Sequence, residues 1–199
     1  MGKVVLDISM SLDGFIAGPN DNHEQPLGEG GEQLHDWIWR DSSMIENEDL
    51  MQGGTTATTG AMVVGRRTYD LVDGWGGSHP LPGVPVFVLT HDAPNENPKG
   101  KTPFTYVTDG IASAITQAKE AAGDKNVYVI GGANVAQQCI REGQLDEIRL
   151  HIAPHLFGAG IRLFDNLGTE PIELETMSVI EAPEVAHLGF RVPITNKEN

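Results

Sequence analysis

Val127-Tyr128-Val129-Ile130-Gly131-Gly132-Ala133-Asn134-Val135 is an apolar run that stops at two glycines and resumes as helix-favouring sequence. Four apolar residues closed by glycine read as a fully buried strand, and a helix is predicted from Ala133 to about Glu142. A strand that turns straight into a helix exposes backbone N–H groups at the helix's positive end, a seat suited to a pyrophosphate. Glycine permits the close approach because it has no Cβ. The same arrangement also serves as a plain tight turn. It is not the G-x-G-x-x-G dinucleotide fingerprint, because Ala133 and Asn134 break that spacing.

Strands and helices alternate on either side of this unit. Residues 3–10 read as a mostly buried strand, Ser11-Leu12-Asp13-Gly14 as a turn and Phe15-Ile16-Ala17 as a short apolar run. Residues 18–31 are rich in Gly, Asn, Asp and Pro, and a loop of that length is more often a functional flap than a passive connection. Residues 32–40 are predicted helical, with Leu34, Trp37 and Ile38 at i, i+3, i+4. A Gly/Thr/Ala cluster within 46–60 precedes a strand at 61–64, and further strands follow at 85–90 and 104–107. Ile111, Ile115, Ala118 and Ala122 mark one helical face, which Gly123 ends. Residues 146–153 alternate Ile148, Leu150 and Ile152 against Glu147, Arg149 and His151, so the two faces of that strand should differ. Residues 172–181 and 185–194 read as a closing hairpin. The pattern predicts an α/β chain with a mostly parallel sheet and antiparallel edges, and residues 1–199 read as a single domain.

The 13 Lys and Arg against 28 Asp and Glu give a net charge of -15. That balance repels phosphate backbones and anionic lipid, so neither nucleic acid nor a membrane is an expected partner. The lone Cys139 rules out an internal disulfide framework and a multi-cysteine zinc site, and it reads as a core thiol. No secretory signal opens the chain and no apolar run approaches the ~18 residues that span a bilayer, so a cytoplasmic protein is expected.

A second strand-to-helix junction is Val63-Val64-Gly65-Arg66-Arg67-Thr68-Tyr69-Asp70. The macrodipole disfavours cations in a helix's first turn, and a neighbouring anion would offset that cost. Arginine suits forked phosphate contact, although a solvated pair is the bland alternative. With Leu-Asp-Gly-Phe-Ile-Ala at 12–17, Val-Ile-Gly-Gly-Ala at 129–133 and Asp-Glu-Ile-Arg-Leu-His-Ile-Ala-Pro at 146–154, these motifs form an ordered set. The set resembles the dihydrofolate-reductase-like fold, and within it the riboflavin-biosynthesis pyrimidine reductases, the RibD C-terminal domain family.

The resemblance implies a three-layer fold, with a central mixed, mostly parallel sheet, helices on both faces and a C-terminal β-hairpin. It implies NADPH as hydride donor and reduction of a small heterocycle, most specifically 5-amino-6-(5-phosphoribosylamino)uracil. Divergent dihydrofolate reduction and a non-catalytic nucleotide-binding module are the alternatives. By motif, Ser9, Ile16 and Ala17 would flank the nicotinamide. Gly65, Arg66, Arg67 and Thr68 would hold the adenosine phosphates, with an arginine on the 2′-phosphate. Leu89 and Thr90 would border the adenine. Ile130, Gly131, Gly132, Ala133, Asn134 and Val135 would carry the pyrophosphate, with a cis Gly131–Gly132 peptide. The resemblance also implies a homodimer.

The substrate end departs from the folate pattern. Asp36 and His151 are the candidate catalytic groups, with bound water a third proton source. Asp36 stands out of register with the folate-anchoring acid by at least one residue, a swing of ~100° on an α-helix, so dihydrofolate is expected to be a poor substrate. Trp37, His151 and Asp13 are the candidate substrate contacts, with Asp13 equally readable as a turn residue. His151 and His155 lie ~13 Å apart in extended chain, too far to share a metal, and no metal is expected.

Overall fold

A computed structural model describes residues 2–40, 54, 57–96 and 98–193. Its strands are β1 (Val4–Ser11), β2 (Phe15–Ala17), β3 (Thr59–Gly65), β4 (Val86–Leu89), β5 (Phe104–Val107), β6 (Asn126–Gly131), β7 (Glu147–Ala153), β8 (Ile161–Arg162), β9 (Glu175–Ala182) and β10 (Val185–Arg191). Its α-helices are α1 (Asp36–Arg40), α2 (Arg66–Leu71), α3 (Ile111–Ala122) and α4 (Ala133–Arg141).

Eight strands form one sheet in the order β5-β4-β3-β6-β1-β7-β10-β9, with β2 and β8 paired separately. From β5 to β7 every pair is parallel, and β10 runs antiparallel to β7 and β9. This is the expected mixed sheet with its C-terminal hairpin.

The period-2 geometry of a strand explains how one sequence feeds two cores. In β3, Ala61 and Val63 face a cluster built with Ile111, Ile115 and Ala118 of α3 and Ala136 and Cys139 of α4. Met62 and Val64 face the other side, toward Tyr69 of α2, Val84 and Val88. Helices therefore cover both faces, and α3 stops at Gly123 (φ +61°), as its sequence predicts. In β1, Leu6, Ile8 and Met10 join the larger cluster, while Asp7 and Ser9 point to the opposite face, both buried. Cys139 is a buried core thiol, and burial pushes its pKa up to about 12. Among the described residues, no helix is long and apolar enough to cross a membrane.

Two features sharpen the reading of the sequence. The predicted helix 32–40 is a 3-10 helix over Gly31–His35 followed by α1. Helices often tighten at their N-termini, and the glycines at 30 and 31 favour an irregular entry, with Gly30 at φ +72°. In β7 the polar face is not solvated: Glu147 and His151 are buried, whereas Ile152 is only partly so. That face lies between β1 and β10 beneath Trp37, and its charges are paired internally, Lys3 and Arg149 both reaching Glu147.

Candidate active site

Strands β1, β3, β4 and β6 run parallel, so their C-terminal ends open on one edge of the sheet. Ligands of open α/β sheets settle at that edge. A cavity of about 1160 Å³ lies there, larger than the ~300–1,000 Å³ of an ordinary small-molecule site and roomy enough for two ligands. All fifteen residues assigned to the cofactor from sequence line it: Ser9, Ile16, Ala17, Gly65, Arg66, Arg67, Thr68, Leu89, Thr90 and the run Ile130 to Val135.

The junction Gly131-Gly132 shapes its floor. A Cβ on Gly131 would stand 2.7 Å from Thr68 Cγ2, so glycine lets the β6 turn meet the first turn of α2. Gly132 sits at φ +84° and starts α4 without a side-chain cap, leaving the helix's first N–H groups for a ligand. The Gly131–Gly132 peptide is trans, contrary to the expected cis bond; the φ > 0 conformation of Gly132 turns the chain in its place.

Both arginines stand on the cavity wall, and both carry acid partners. Arg66 Nε donates to Asp70 Oδ1 at 2.7 Å, and its Nη1 donates to the Asp92 carbonyl at 2.7 Å and Thr90 Oγ1 at 3.3 Å. Arg67 Nε and Nη2 donate to Asp21 Oδ2 and Oδ1 at 2.8 and 2.6 Å. The hydrogen bond donated to Asp70 leads the rise in the Arg66 pKa, and that donated to Asp21 does the same for Arg67. In return, Arg67 holds the Asp21 carboxyl below its usual range.

The substrate candidates separate. Asp36 lines the cavity with His35, Glu32 and Ile38. The chain reaches it through a 3-10 helix over Gly31–His35, which advances ~120° per residue rather than the ~100° of an α-helix. Asp13, by contrast, is a turn residue. It accepts from Ser11 Oγ at 2.6 Å and from the backbone N–H of Phe157 and Gly158, and the Ser11 bond leads in lowering its pKa to about 2.

Trp37 and His151 are also displaced from the wall. Trp37 is buried behind Ser9, donating from Nε1 to Ser9 Oγ at 3.1 Å, with its ring 4.6 Å from that of His151. His151 is 2 % exposed and locked between Asp7 Oδ1, 2.8 Å from Nε2, and His187 Nδ1, 2.6 Å from its own Nδ1. Neither residue is among those that line this cavity; His151 lines a smaller one, of about 330 Å³, with His187, Glu147 and Arg149. The alternation in β7 correctly placed His151 on a polar face, but that face is roofed by Trp37 and His187.

His35, Asp21 and Glu32 also lie on the wall without having been singled out. Burial, with His151 acting in the same direction and Asp36 opposing, pushes the His35 pKa down to about 4. A neutral imidazole therefore faces the cavity at neutral pH. Asp21 gave no local signal, since its partner is 46 residues away.

The RibD C-terminal domain matches residues 2–188. The structure of a riboflavin-biosynthesis candidate from Shewanella sp. PV-4 superposes with a TM-score of 0.70 at 23% identity, covering 97% of this chain and 99% of that one. A deaminase/5-amino-6-(5-phosphoribosylamino)uracil reductase from Thermotoga maritima superposes with a TM-score of 0.63 at 15% identity, covering 96% of this chain and 57% of that one. Dihydrofolate reductase HdrB of Haloferax volcanii is 36% identical over 104 residues, 51% of this chain and 52% of the relative.

Proposed function

This chain belongs to the RibD C-terminal domain family, and from that we propose that it is a cytoplasmic NADPH-dependent reductase of a small nitrogen heterocycle. The observation that carries the proposal is the convergence of fifteen motif residues, from five separate stretches of sequence, on one cavity wall. Bound there, NADPH would supply the hydride. The uncapped start of α4 would bind the pyrophosphate, Arg66 and Arg67 the 2′-phosphate, and Leu89 with Thr90 the adenine. Ser9, Ile16 and Ala17 would flank the nicotinamide, with Trp37 orienting the Ser9 hydroxyl and Ile16 and Ile161 keeping water out. Asp36, on the wall beside His35, would relay a proton to substrate, directly or through bound water.

The most specific activity of this kind is reduction of 5-amino-6-(5-phosphoribosylamino)uracil. A second reading, dihydrofolate reduction, gains from Asp36 on the wall and from the match to HdrB. Following NADPH oxidation with each substrate separates them. Turnover of the pyrimidine with dihydrofolate inert supports the first. Dihydrofolate turnover at a kcat/KM of ~10⁴ M⁻¹s⁻¹ or more, abolished by Asp36→Asn, selects the second. Nucleotide binding without oxidation of NADPH by either substrate would leave a non-catalytic module.

A homodimer is part of the same proposal. The outer strand β9 exposes Met177, Val179 and Ile180, with Val179 69% exposed, on a sheet edge that no other strand pairs among the described residues. Light scattering at micromolar concentration should give roughly twice the 21.4 kDa chain mass, and Val179→Lys should shift the population toward monomer. A monomer throughout the accessible range would remove this part of the proposal.

A further inference from the structure

We infer that Asp21 tunes cofactor choice at this site by competing with the 2′-phosphate for Arg67, an inference that rests on the NADPH reading above. Asp21 belongs to the 18–31 loop and Arg67 to α2, and both line the cavity. Their contact is a bidentate fork, with Nε and Nη2 of Arg67 on the two carboxylate oxygens at 2.8 and 2.6 Å. Nη2 also reaches the Asp21 carbonyl at 3.4 Å. The Asp21 side chain is 11% exposed and that of Arg67 63%, so the carboxylate is the sheltered partner and the guanidinium the accessible one.

The same edge of a guanidinium cannot hold two planar or tetrahedral anions at once. Arg66 is pinned differently, by Asp70 on its own helix and by Thr90 and the Asp92 carbonyl beyond β4. With Asp21 and Asp70 in place each arginine already meets a carboxylate, and Asp92 adds a third acid at this end of the cavity. A 2′-phosphate gains the full attraction of Arg67 only as Asp21 withdraws. A cofactor with a plain 2′-hydroxyl leaves the fork intact. Asp21 thus blunts the preference for NADPH, and the phosphorylated cofactor releases the ion pair that ties the 18–31 loop to α2.

The test is calorimetric titration of wild-type, Asp21→Asn, Asp21→Ser, Arg67→Ala and Asp21→Asn/Arg67→Ala protein with NADPH and with NADH. Asp21→Asn should tighten NADPH about fivefold and leave NADH unchanged. Asp21→Ser, too short to reach the guanidinium, should act with the same sign. In the Arg67→Ala background the Asp21 substitution should have no effect. Unchanged or weaker NADPH binding would overturn the inference. So would equal tightening of both cofactors, which reports only general relief in an acidic protein, or an effect that persists without Arg67. A wild-type chain that binds neither nucleotide would overturn the cofactor reading itself, and this inference with it.

Discussion

Replacing Arg66 and Arg67 together with alanine should weaken NADPH binding by about ten- to a hundredfold more than NADH binding. A charge-assisted hydrogen bond contributes ~1.5–3 kcal/mol, and the 2′-phosphate is the one cofactor group that NADH lacks. The arginines should not contribute equally. Arg66 is held by a carboxylate, a hydroxyl and a carbonyl, so little side-chain entropy is lost when a phosphate joins it. Arg67 must first exchange its partner. Arg66→Ala alone should therefore account for most of the loss, and Arg67→Ala for a smaller share. Titrations by nicotinamide fluorescence decide the matter, and equal losses for the two cofactors would place the 2′-phosphate elsewhere.

The two glycine junctions of the cavity are legible in the sequence because their information is local. A strand, a glycine and a helix start are consecutive residues, so Gly65-Arg66-Arg67-Thr68 and Ile130 to Val135 carry their geometry with them. The parallel sheet then brings those junctions to one edge whatever the loops do. The substrate end depends on contacts distant in sequence. His151 read as a group available to substrate because nothing nearby in sequence reveals that Asp7, 144 residues away, and His187, 36 away, would enclose it. The change of helical period ahead of Asp36, 3-10 and then α, has no signature in the apolar spacing of residues 32–40. Asp13 was open between two roles, and the partners that decide for the turn, Phe157 and Gly158, belong to a distant loop.

The buried cluster beneath Trp37 has a consequence for stability that the cavity does not. Asp7, His151 and His187 form a buried hydrogen-bonded chain in the sheet layer, and Trp37 packs against both imidazoles while donating to Ser9 on the cavity wall. One face of that indole therefore senses the cluster and one edge senses the site. Disturbance of the cluster should reach the Ser9 end of the cavity through Trp37 before it reaches the arginines, which both follow β3, two strands from β1 and three from β7, ~10–14 Å across the sheet.

Acid should unfold this protein in a window set by histidines. Burial pushes His35, His79 and His187 each down to about 4, with His151 adding to the effect at His35 and His187. In the unfolded chain each titrates near 6.5. Between those values the unfolded state binds protons that the folded state refuses, so stability is complete above about pH 6.5 and falls as pH drops toward 4. A shift of that size bounds each contribution at about 3 kcal/mol, and partial solvent access at His35 and His79 reduces theirs to about 1–2 kcal/mol. The sum, at most about 5–7 kcal/mol, is comparable with the ~5–15 kcal/mol stability of a typical domain. The depressed carboxylates Asp13 and Asp21 act in the same direction but only below about pH 4, so the two windows separate. Urea unfolding monitored from pH 7 to 4.5 should show stability falling by about 2–4 kcal/mol per pH unit near pH 5, the slope of two to three protons taken up on unfolding. His187→Gln should remove up to one proton from that slope whatever its effect on absolute stability. A flat profile between pH 6.5 and 4.5 would mean that these imidazoles are charged in the native protein and that the neutral wall assigned to His35 is wrong.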